Sequence, residues 1–323
     1  MHNNEQGVCM NTLDIIKSNI NNTIKETNYN IGPKYKGKVR DVYDLGDKLF
    51  IVTTDRVSAF DVVLDTVPFK GAMLNGLSNY WFEQTKDIIP NHIISVPHPN
   101  AILVKKCTIL PIEVIVRGYL TGGGWREYEA DGTVSGIALP KGLKKNCKFD
   151  TPILTPSTKA KEGHDMPISV EEIIKQGIVE EKLMRRIADT ALKLFARGQE
   201  LVAKNGLILV DTKYEFGILD DGSLIIADEI HTSDSSRYWY ADGYEAAFKA
   251  GEEQKGLDKE YLRRWLMDQG FKGDGKPPVI PAEVKAALAE RYEQAYRMIT
   301  GKTFNFNQTN VLATLDDAVK KLN

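Results

Sequence analysis

The sequence predicts an α+β protein of two lobes. Strand patterns come first along the chain, strands and helices mix in the middle, and helical patterns dominate the end, an order typical of α+β proteins. The length of 323 residues suggests about two domains at roughly 150 residues each. We place an N-terminal β-rich lobe at residues 1–110, and a larger α/β lobe with a helical C-terminal extension at residues 111–323.

The N-terminal lobe is predicted to contain two helices around a hairpin, followed by short strands. Apolar spacing indicates the helices, and alternating strand formers around the turn Asp44–Asp47 indicate the hairpin. Pro90 marks the end of the second helix. In chain order, the predicted elements are helix Thr12–Glu26, hairpin strands Lys36–Tyr43 and Lys48–Thr54, helix Leu74–Ile88, and short strands from Ile93 to Val116.

The larger lobe is predicted to alternate between irregular and regular segments. The stretch 131–168 has little periodicity, as functional loops often do. Pro281 and Gly301 are start and stop signals for the last helix. The segments are a Gly-rich stretch Arg117–Tyr128, helix Glu180–Asn205, hairpin Leu207–Ile230, and helices Asp258–Gln269 and Ala282–Thr300.

Composition excludes several classes of protein. The 42 Lys and Arg residues nearly balance the 44 Asp and Glu residues, whereas proteins that coat nucleic acid normally have a basic excess. The three cysteines form no CxxC pair, which argues against a disulfide scaffold or a structural zinc site. No apolar stretch approaches the roughly 18 residues of a membrane span, and the N-terminus does not resemble a signal peptide. We therefore expect a cytoplasmic enzyme with no nucleic-acid or membrane partner.

The hairpin Leu207–Ile230 carries acidic residues on one face. Strand alternation places Asp211, Lys213 and Glu215 on that face, opposite an apolar face with Ile208, Val210, Tyr214, Phe216 and Ile218. A two-residue turn at Asp221-Gly222 would set Glu215 opposite Asp228.

Facing carboxylates repel unless a cation or a proton lies between them. Oxygen ligands at this spacing suit Mg²⁺, which binds one or two carboxylates together with substrate phosphates. Lys213, on the same face, can contact a phosphate oxygen. The alternative is an ordinary solvated polar face, and a shift of the turn by one residue would break the predicted pairing.

The first hairpin carries basic residues. Lys36, Lys38 and Arg40 are predicted to alternate onto one face of a strand, and Gly37 would let the backbone approach a ligand closely. Such a strand–turn–strand can cover nucleotide phosphates, as protein-kinase Gly-rich loops do. A basic edge strand that discourages aggregation is the alternative interpretation.

Two arginines complete a candidate anion site. Arg117 follows the apolar strand Val114–Val116, and Arg237 lies just beyond the acidic hairpin. Gly122–Gly124 can present backbone N–H groups to an anion, although a flexible turn would explain these glycines equally well. Two arginines, two lysines and two carboxylates together indicate a site for several phosphates and a metal ion.

Several segments, spread in order from about residue 35 to residue 240, together resemble one family. That family is phosphoribosylaminoimidazole-succinocarboxamide synthase (SAICAR synthetase), in the longer form of fungi and some bacteria. The segments are GKVRDVYDLGD, TDRVSAFD, PIEVIVRGYLTGGGW, TPSTKA, GLILVDTKYEFG and ADEIHTSDSSRYW. Each is weak alone, but their joint occurrence is specific.

The resemblance implies a ligase of de novo purine biosynthesis. It would join 5-amino-1-(5-phosphoribosyl)imidazole-4-carboxylate (CAIR) to L-aspartate with ATP and Mg²⁺, through an acyl phosphate, and release SAICAR, ADP and phosphate. It also implies a two-lobed fold related to ATP-grasp and protein-kinase-like folds, with ATP between an antiparallel β-lobe and the larger lobe. Independently of the resemblance, we expect a monomer, with an oligomer as the alternative.

The resemblance also implies roles for individual residues. The catalytic residues are Lys213, Glu215 and Asp228, of which Glu215 and Asp228 hold the metal. ATP is bound by these three together with Lys36, Gly37, Lys38, Arg40, Leu110, Ile112 and Glu113. The other substrates are bound by Arg117, Gly123, Asp211, Arg237, Ser58, Asp61 and Asp165, and the loop Thr155–Lys161 borders the aspartate site. The family commonly has Ser where this chain has Gly123, so only a backbone contact is expected there.

Two other functions remain open from the residues alone. A small-molecule kinase would share the acidic hairpin and the basic cover but would need only one acceptor substrate. A non-catalytic nucleotide-binding protein would bind ATP without turnover, although the combination of Lys38, Lys213, Glu215 and Asp228 favours an enzyme.

Overall fold

The computed structural model describes residues 11–60, 62–159, 165–257, 260–307 and 310–322. Helices and mainly antiparallel sheets occur together, which confirms the predicted α+β class. None of the helices described is long and apolar enough to cross a membrane. The helices are α1 Thr12–Ser18, α2 Lys70–Thr85, α3 Gly122–Asp131, α4 Val170–Lys175, α5 Glu181–Ala203, α6 Tyr244–Ala250, α7 Glu260–Asp268, α8 Ala282–Thr300 and α9 Val311–Lys320.

The strands form two main sheets and two small hairpin sheets. The first sheet has the strand order β1-β2-β3-β7-β6, and the second is built on β12-β9-β14-β15, with β13 added to β9, and β8 and β16 added to β14. The strands are β1 Lys34–Lys36, β2 Arg40–Asp44, β3 Lys48–Thr53, β4 Arg56–Ala59, β5 Val62–Thr66, β6 Ile93–His98, β7 Ala101–Lys105, β8 Thr108–Ile109, β9 Ile112–Tyr119, β10 Thr133–Val134, β11 Ile137–Ala138, β12 Lys148–Leu154, β13 Ser157–Thr158, β14 Leu207–Ile218, β15 Leu224–Ala227 and β16 Ser236–Tyr240.

The second sheet packs against α5, the longest helix of the described chain. The α5 sequence places apolar residues every three or four positions, which gives the helix one apolar face. Leu194 and Phe195 on that face are fully buried in the same core as Tyr214 of β14. The carboxylate of Glu180 caps the helix by accepting from the amides at 182 and 183. The predicted helix Glu180–Asn205 is therefore confirmed to within two residues at each end.

The C-terminal helices α8 and α9 pack against the N-terminal part of the chain. Helix α8 has the predicted bounds and packs on α2, and Gly301 ends it in the left-handed conformation. Helix α9 was not predicted. Its apolar residues Val311 and Leu315 lie in one core cluster with Tyr43 and Phe50 of the first sheet. The end of the chain thus covers the sheet formed near its beginning.

Two predicted helix boundaries near the N-terminus are wrong. The first helix ends at Ser18 rather than at residue 26, because buried carboxylates hold the following backbone. Asp55 accepts from the Ile24 amide at 2.7 Å, and Asp41 accepts from the Thr27 amide at 2.7 Å. Helix α2 begins at Lys70, four residues before the predicted start.

The predicted single basic strand Lys36–Tyr43 is also wrong. Strand β1 ends at Lys36, β2 begins at Arg40, and the two pair antiparallel with Lys36 opposite Asp41. Residues 37–39 form the turn between them, and the Gly37 amide donates to the Arg40 carbonyl at 2.8 Å. Lys36, Lys38 and Arg40 therefore do not alternate along one strand, and Lys38 lies at the tip of a tight turn.

The predicted register of the acidic hairpin is wrong by one residue. Ile218 pairs with Leu224, so the connecting loop has five residues rather than two, and Glu215 lies opposite Ala227 instead of Asp228. The pairing of β14 with β16 also shifts between Leu209 and Asp211. Because of this irregularity, Ile208 and Val210 pack in a different cluster from Tyr214 and Phe216, and the predicted continuous apolar face is wrong.

Candidate active site

Strand β14 lies inside the second sheet and carries three site residues on one face. Asp211, Lys213 and Glu215 alternate along the strand, as predicted. Neighbouring strand β9 contributes Glu113 and Arg117 from the same side, and its Arg117 is the direct cross-strand partner of Asp211. Strand β14 has hydrogen-bonded neighbours on both edges, so the backbone that carries these side chains is held firmly in place.

One end of this face is a cluster of carboxylates and cations, which we call the carboxylate cluster. It comprises Glu113, Glu215, Asp228, Glu229, Arg40, Lys159 and Lys213. The ammonium nitrogen of Lys213 lies 2.6 Å from Glu113 Oε1 and 3.3 Å from Glu215 Oε1. The other carboxylate oxygen of Glu215 accepts from Lys159.

These contacts set the charges in the cluster. Burial opposes the ionisation of Glu215, but the positive charges of Lys213 and Lys159 outweigh it and lower the pKa of Glu215. Burial likewise opposes the charge of Lys213, yet Glu215 and Glu113 raise the pKa of Lys213 above its usual value. Both groups are therefore charged at neutral pH.

Asp228 reaches the cluster in spite of the changed register. It follows β15 with a φ of 63°, a left-handed conformation that is uncommon outside glycine and often found at functional sites. Its carboxylate accepts from Arg40 of β2, whose other Nη atom lies 3.0 Å from Glu229 Oε1. Burial disfavours the charge of Arg40, but Asp228 and Glu229 outweigh this and raise its pKa. Arg40 thus links the first sheet to the carboxylates of the second.

The other end of the β14 face is a group of basic side chains, which we call the arginine cluster: Arg117, Arg126 and Arg237. Arg117 Nη1 and Arg237 Nη1 each lie 3.4 Å from the same oxygen of Asp211. Burial, together with the neighbouring charges of Arg237 and Arg126, lowers the pKa of Arg117 despite Asp211. One carboxylate thus faces more than one guanidinium, and this excess of positive charge favours an anionic ligand.

The N-terminus of α3 faces the arginine cluster. Gly122 has a φ of 56°, and a Cβ atom there would lie 2.5 Å from Arg237 Nη2, so a side chain at this position would be strained and would displace the Arg237 guanidinium. A Cβ at Gly123 would lie 3.8 Å from Arg126 Nη2 and 3.9 Å from Arg117 Nη2, which is ordinary contact. The Gly-rich segment was predicted to present N–H groups to an anion, and a helix N-terminus presents them together with a favourable dipole.

Three other predicted ATP-site residues, Lys36, Ile112 and Leu110, are not members of the carboxylate cluster. Lys36 pairs with Glu26 at 2.6 Å and is half exposed. The side chain of Ile112 is buried in the core, so only the backbone of this residue could contact a nucleotide. The amide of Leu110 donates to the Phe216 carbonyl at 2.9 Å, which fixes the 110–113 segment beside β14.

Ser58, Asp61 and Asp165 are the other predicted substrate contacts. Ser58 lies on β4 and, within the described residues, makes no hydrogen bond to either cluster. Asp61 lies outside the described residues. Asp165 is exposed, and its charge acts on Glu113, where it adds to the effect of burial in raising the pKa.

Sequence reasoning missed Lys159, Glu229 and Arg126 as members of the two clusters. Lys159 lies in the segment TPSTKA, which was assigned to the border of the aspartate site. Glu229 directly follows Asp228, whose left-handed backbone after β15 was not foreseeable from strand alternation. Among the described residues no group of three or more candidate metal ligands occurs. Of the two predicted metal ligands, Glu215 contacts Lys159 and Lys213, and Asp228 contacts Arg40.

The chain matches one protein family along most of its length. The family model of SAICAR synthetase matches residues 33–278. A phosphoribosylaminoimidazole-succinocarboxamide synthase of Legionella pneumophila (strain Paris) is 48% identical over 291 residues, which cover 88% of this chain and 93% of that protein. The synthase of Cytophaga hutchinsonii is 48% identical over 290 residues, again covering 88% and 93%.

Solved structures of the same family share the fold. The SAICAR synthase of Saccharomyces cerevisiae, complexed with SAICAR, has a TM-score of 0.79 and 36% identity, covering 87% of this chain and 99% of that chain. A type-2 SAICAR synthetase in complex with ADP has a TM-score of 0.65 and 28% identity, covering 84% and 100%.

Fold, site and relatives together define an ATP-dependent ligase of purine biosynthesis. The chain belongs to the SAICAR synthetase family. The resemblance that its six motifs indicated is therefore confirmed.

Proposed function

We propose that the chain joins CAIR to L-aspartate, using ATP and Mg²⁺, to give SAICAR, ADP and phosphate. The observation that carries this proposal is the arrangement of both clusters on one face of β14. Asp211 and Glu215 are four residues apart, about 13 Å along a strand. A substrate with a phosphate at one end and a carboxylate near the other can bind the arginine cluster and still present its carboxylate to the carboxylate cluster.

ATP would bind between the lobes 1–110 and 111–323, as in the related ATP-grasp and protein-kinase-like folds. The turn at residues 37–39, with Lys38 at its tip and Lys36 and Arg40 on either side, would cover the phosphates. The backbone of Leu110–Glu113 would face adenine. Glu215 and Asp228 offer carboxylate oxygen donors, the type that Mg²⁺ prefers. When bound, Mg²⁺ would supply positive charge beside the phosphate oxygens.

The reaction would proceed in two displacements. A carboxylate oxygen of CAIR attacks the γ-phosphorus, a P–O bond forms, the bond to the β-phosphate oxygen breaks, and ADP leaves. The aspartate amine then attacks the acyl carbon of the resulting acyl phosphate, loses a proton, and inorganic phosphate departs. Lys213 would hold positive charge next to the transferring phosphoryl group, where charge stabilisation matters most.

The other substrates would lie on either side of the reacting carboxylate. Arg117 and Arg237, with Asp211 between them and the Gly123 backbone, would bind the ribonucleotide phosphate. Aspartate would bind near the loop Thr155–Lys161. The contact from Lys159 to Glu215 supports this position, because it joins that loop to the carboxylate cluster. Ser58, Asp61 and Asp165 are proposed as further substrate contacts. We also propose that the enzyme acts as a monomer in the cytoplasm, where its substrates are made.

An omission assay tests this function. ADP release at the full rate should require CAIR, aspartate and Mg²⁺ together. One SAICAR should form for each ADP released. Full-rate ADP formation without aspartate would instead indicate a small-molecule kinase. ATP binding with no turnover under any combination would indicate a regulatory nucleotide-binding protein.

Gly123→Ser is expected to strengthen binding of the ribonucleotide. A serine Cβ fits at this position, and its hydroxyl would add a donor beside Arg117 and Arg126. One added hydrogen bond worth about 1 kcal/mol would lower the KM for CAIR about fivefold, with the KM values for ATP and aspartate unchanged. Gly123→Ala is the matched control, since it gives the same helix stiffening without the hydroxyl. Equal KM values for the two variants would exclude the predicted contact.

A further inference from the structure

Arg56 is a buried arginine behind the turn at residues 37–39. It is the first residue of β4 and only 3% exposed. Its guanidinium donates to three carbonyls of the turn region: Nε to Lys38 O at 2.9 Å, Nη2 to Gly37 O at 2.9 Å, and Nη2 to Arg40 O at 3.1 Å. None of the predicted roles above used this residue.

The remaining carbonyl of the turn is held from the same side. Thr54, two residues before Arg56, donates to Val39 O from its amide at 3.0 Å and from its hydroxyl at 2.8 Å. The carbonyls of four consecutive residues, 37 to 40, are therefore all bound by one short segment of chain. If Arg56 only neutralised the buried charge of Asp41, it would not need its hydrogen bonds to the turn carbonyls.

Arg56 also has a fixed position of its own. Nη2 lies 2.9 Å from Asp41 Oδ1, and Nη1 donates to the Lys25 carbonyl at 2.7 Å. Asp41 is fully buried and also accepts from Thr27. Asp41 and the Lys25 carbonyl thus fix the guanidinium while its Nε and Nη2 atoms contact the turn, so it can act as a rigid template for the turn backbone.

The carbonyl directions determine where the amides point. A peptide unit is planar and trans, so the N–H of each residue points opposite to the C=O of the residue before it. With the Gly37 and Lys38 carbonyls turned toward Arg56, the amides of Lys38 and Val39 are turned away from it. Successive amides aimed the same way form a concave anion site.

We propose that Arg56 is a positioning residue that aims the amides of Lys38 and Val39 at the ATP phosphates. This inference rests on the proposed function, in which the turn covers those phosphates. Arg56 touches no substrate, so its effect must pass through the turn. The effect must therefore depend on how many phosphates the nucleotide carries.

Arg56→Lys tests this role with the probes ATP, ADP and AMP. Lysine keeps a positive charge for Asp41, but its three donors lie on a single nitrogen and cannot reproduce the spread of the guanidinium donors across the turn carbonyls. We expect the dissociation constants for ATP and ADP to rise about tenfold, equivalent to about 1.4 kcal/mol, and that for AMP to change less than about twofold by the same conversion. Thr54→Val, which removes one neutral donor, should give a smaller change with the same phosphate dependence.

Thr66→Val is the matched control. Thr66 lies opposite Arg56 in the β4–β5 hairpin, but its hydroxyl contacts that of Thr23 at 2.9 Å and does not touch the turn. It should bind all three nucleotides like the wild type. Equal losses for AMP, ADP and ATP in both test variants, or wild-type binding in Thr54→Val and Arg56→Lys, would overturn the positioning role. If Arg56→Lys does not fold, the nucleotide profile of Thr54→Val decides. Wild-type protein that binds no ADP would instead contradict the proposed function.

Discussion

Glu215→Gln is expected to reduce kcat about a thousandfold, the upper range for loss of one electrostatic element of an active site. Glutamine has nearly the same shape, so the buried side chain still fills its place on β14. It removes the negative charge that holds Lys213 at 3.3 Å and also pairs with Lys159. It also removes one of the two proposed Mg²⁺ ligands. The Mg²⁺ concentration for half-maximal rate should rise together with the loss of kcat.

Glu113→Gln provides a matched control for this prediction. Glu113 also pairs with Lys213, at 2.6 Å, but has no proposed contact with the metal. Its replacement should disturb Lys213 while leaving the Mg²⁺ requirement unchanged. Steady-state kinetics at varied Mg²⁺ separate the two variants, and thermal unfolding verifies that both are folded. Wild-type kcat and Mg²⁺ dependence in Glu215→Gln would refute the assignment of Glu215.

The polar face of β14 was predictable because strand alternation is local. Asp211, Lys213 and Glu215 fall on one face whatever the partner strand is. The approach of Asp228 was not predictable in the same way. The predicted pairing with Glu215 depended on a two-residue turn, and the loop has five residues. Asp228 reaches the cluster through a left-handed backbone and an ion pair with Arg40, neither of which leaves a periodic signal.

Long-range contacts explain most other differences between prediction and structure. The segment after α1 is extended because Asp41 and Asp55 bind its amides, and those carboxylates lie 14 and 31 residues further along the chain. Helix α9 is short and becomes stable by packing on the first sheet. The four carbonyls of residues 37–40 are bound by Arg56 and Thr54, to which the sequence patterns assign no role. The motifs were enough to find the family, but not the contacts that orient its site.

Arg237→Met is expected to raise the KM for CAIR about a hundredfold, since hydrogen bonds to a charged group contribute about 1.5–3 kcal/mol each. The side chain is one quarter exposed, lies 3.4 Å from Asp211 and borders the first turn of α3. Methionine keeps much of the aliphatic volume but has no charge. Asp211 retains Arg117 as its partner, so the variant should fold, and the kcat at saturating CAIR and the KM for ATP should change little.

The dephosphorylated nucleoside of CAIR makes this prediction specific to the phosphate. If Arg237 binds the phosphate, wild type and Arg237→Met should use the nucleoside equally poorly. The nucleoside has no phosphate, so neither protein can make this contact with it. Arg197→Met is the control for a general loss of charge. Arg197 lies on α5, pairs with Asp87 at 2.9 Å, and is assigned no role in either cluster. A hundredfold defect that persists with the nucleoside would show that Arg237 acts on the imidazole or the ribose, and the arginine cluster would then need another ligand group.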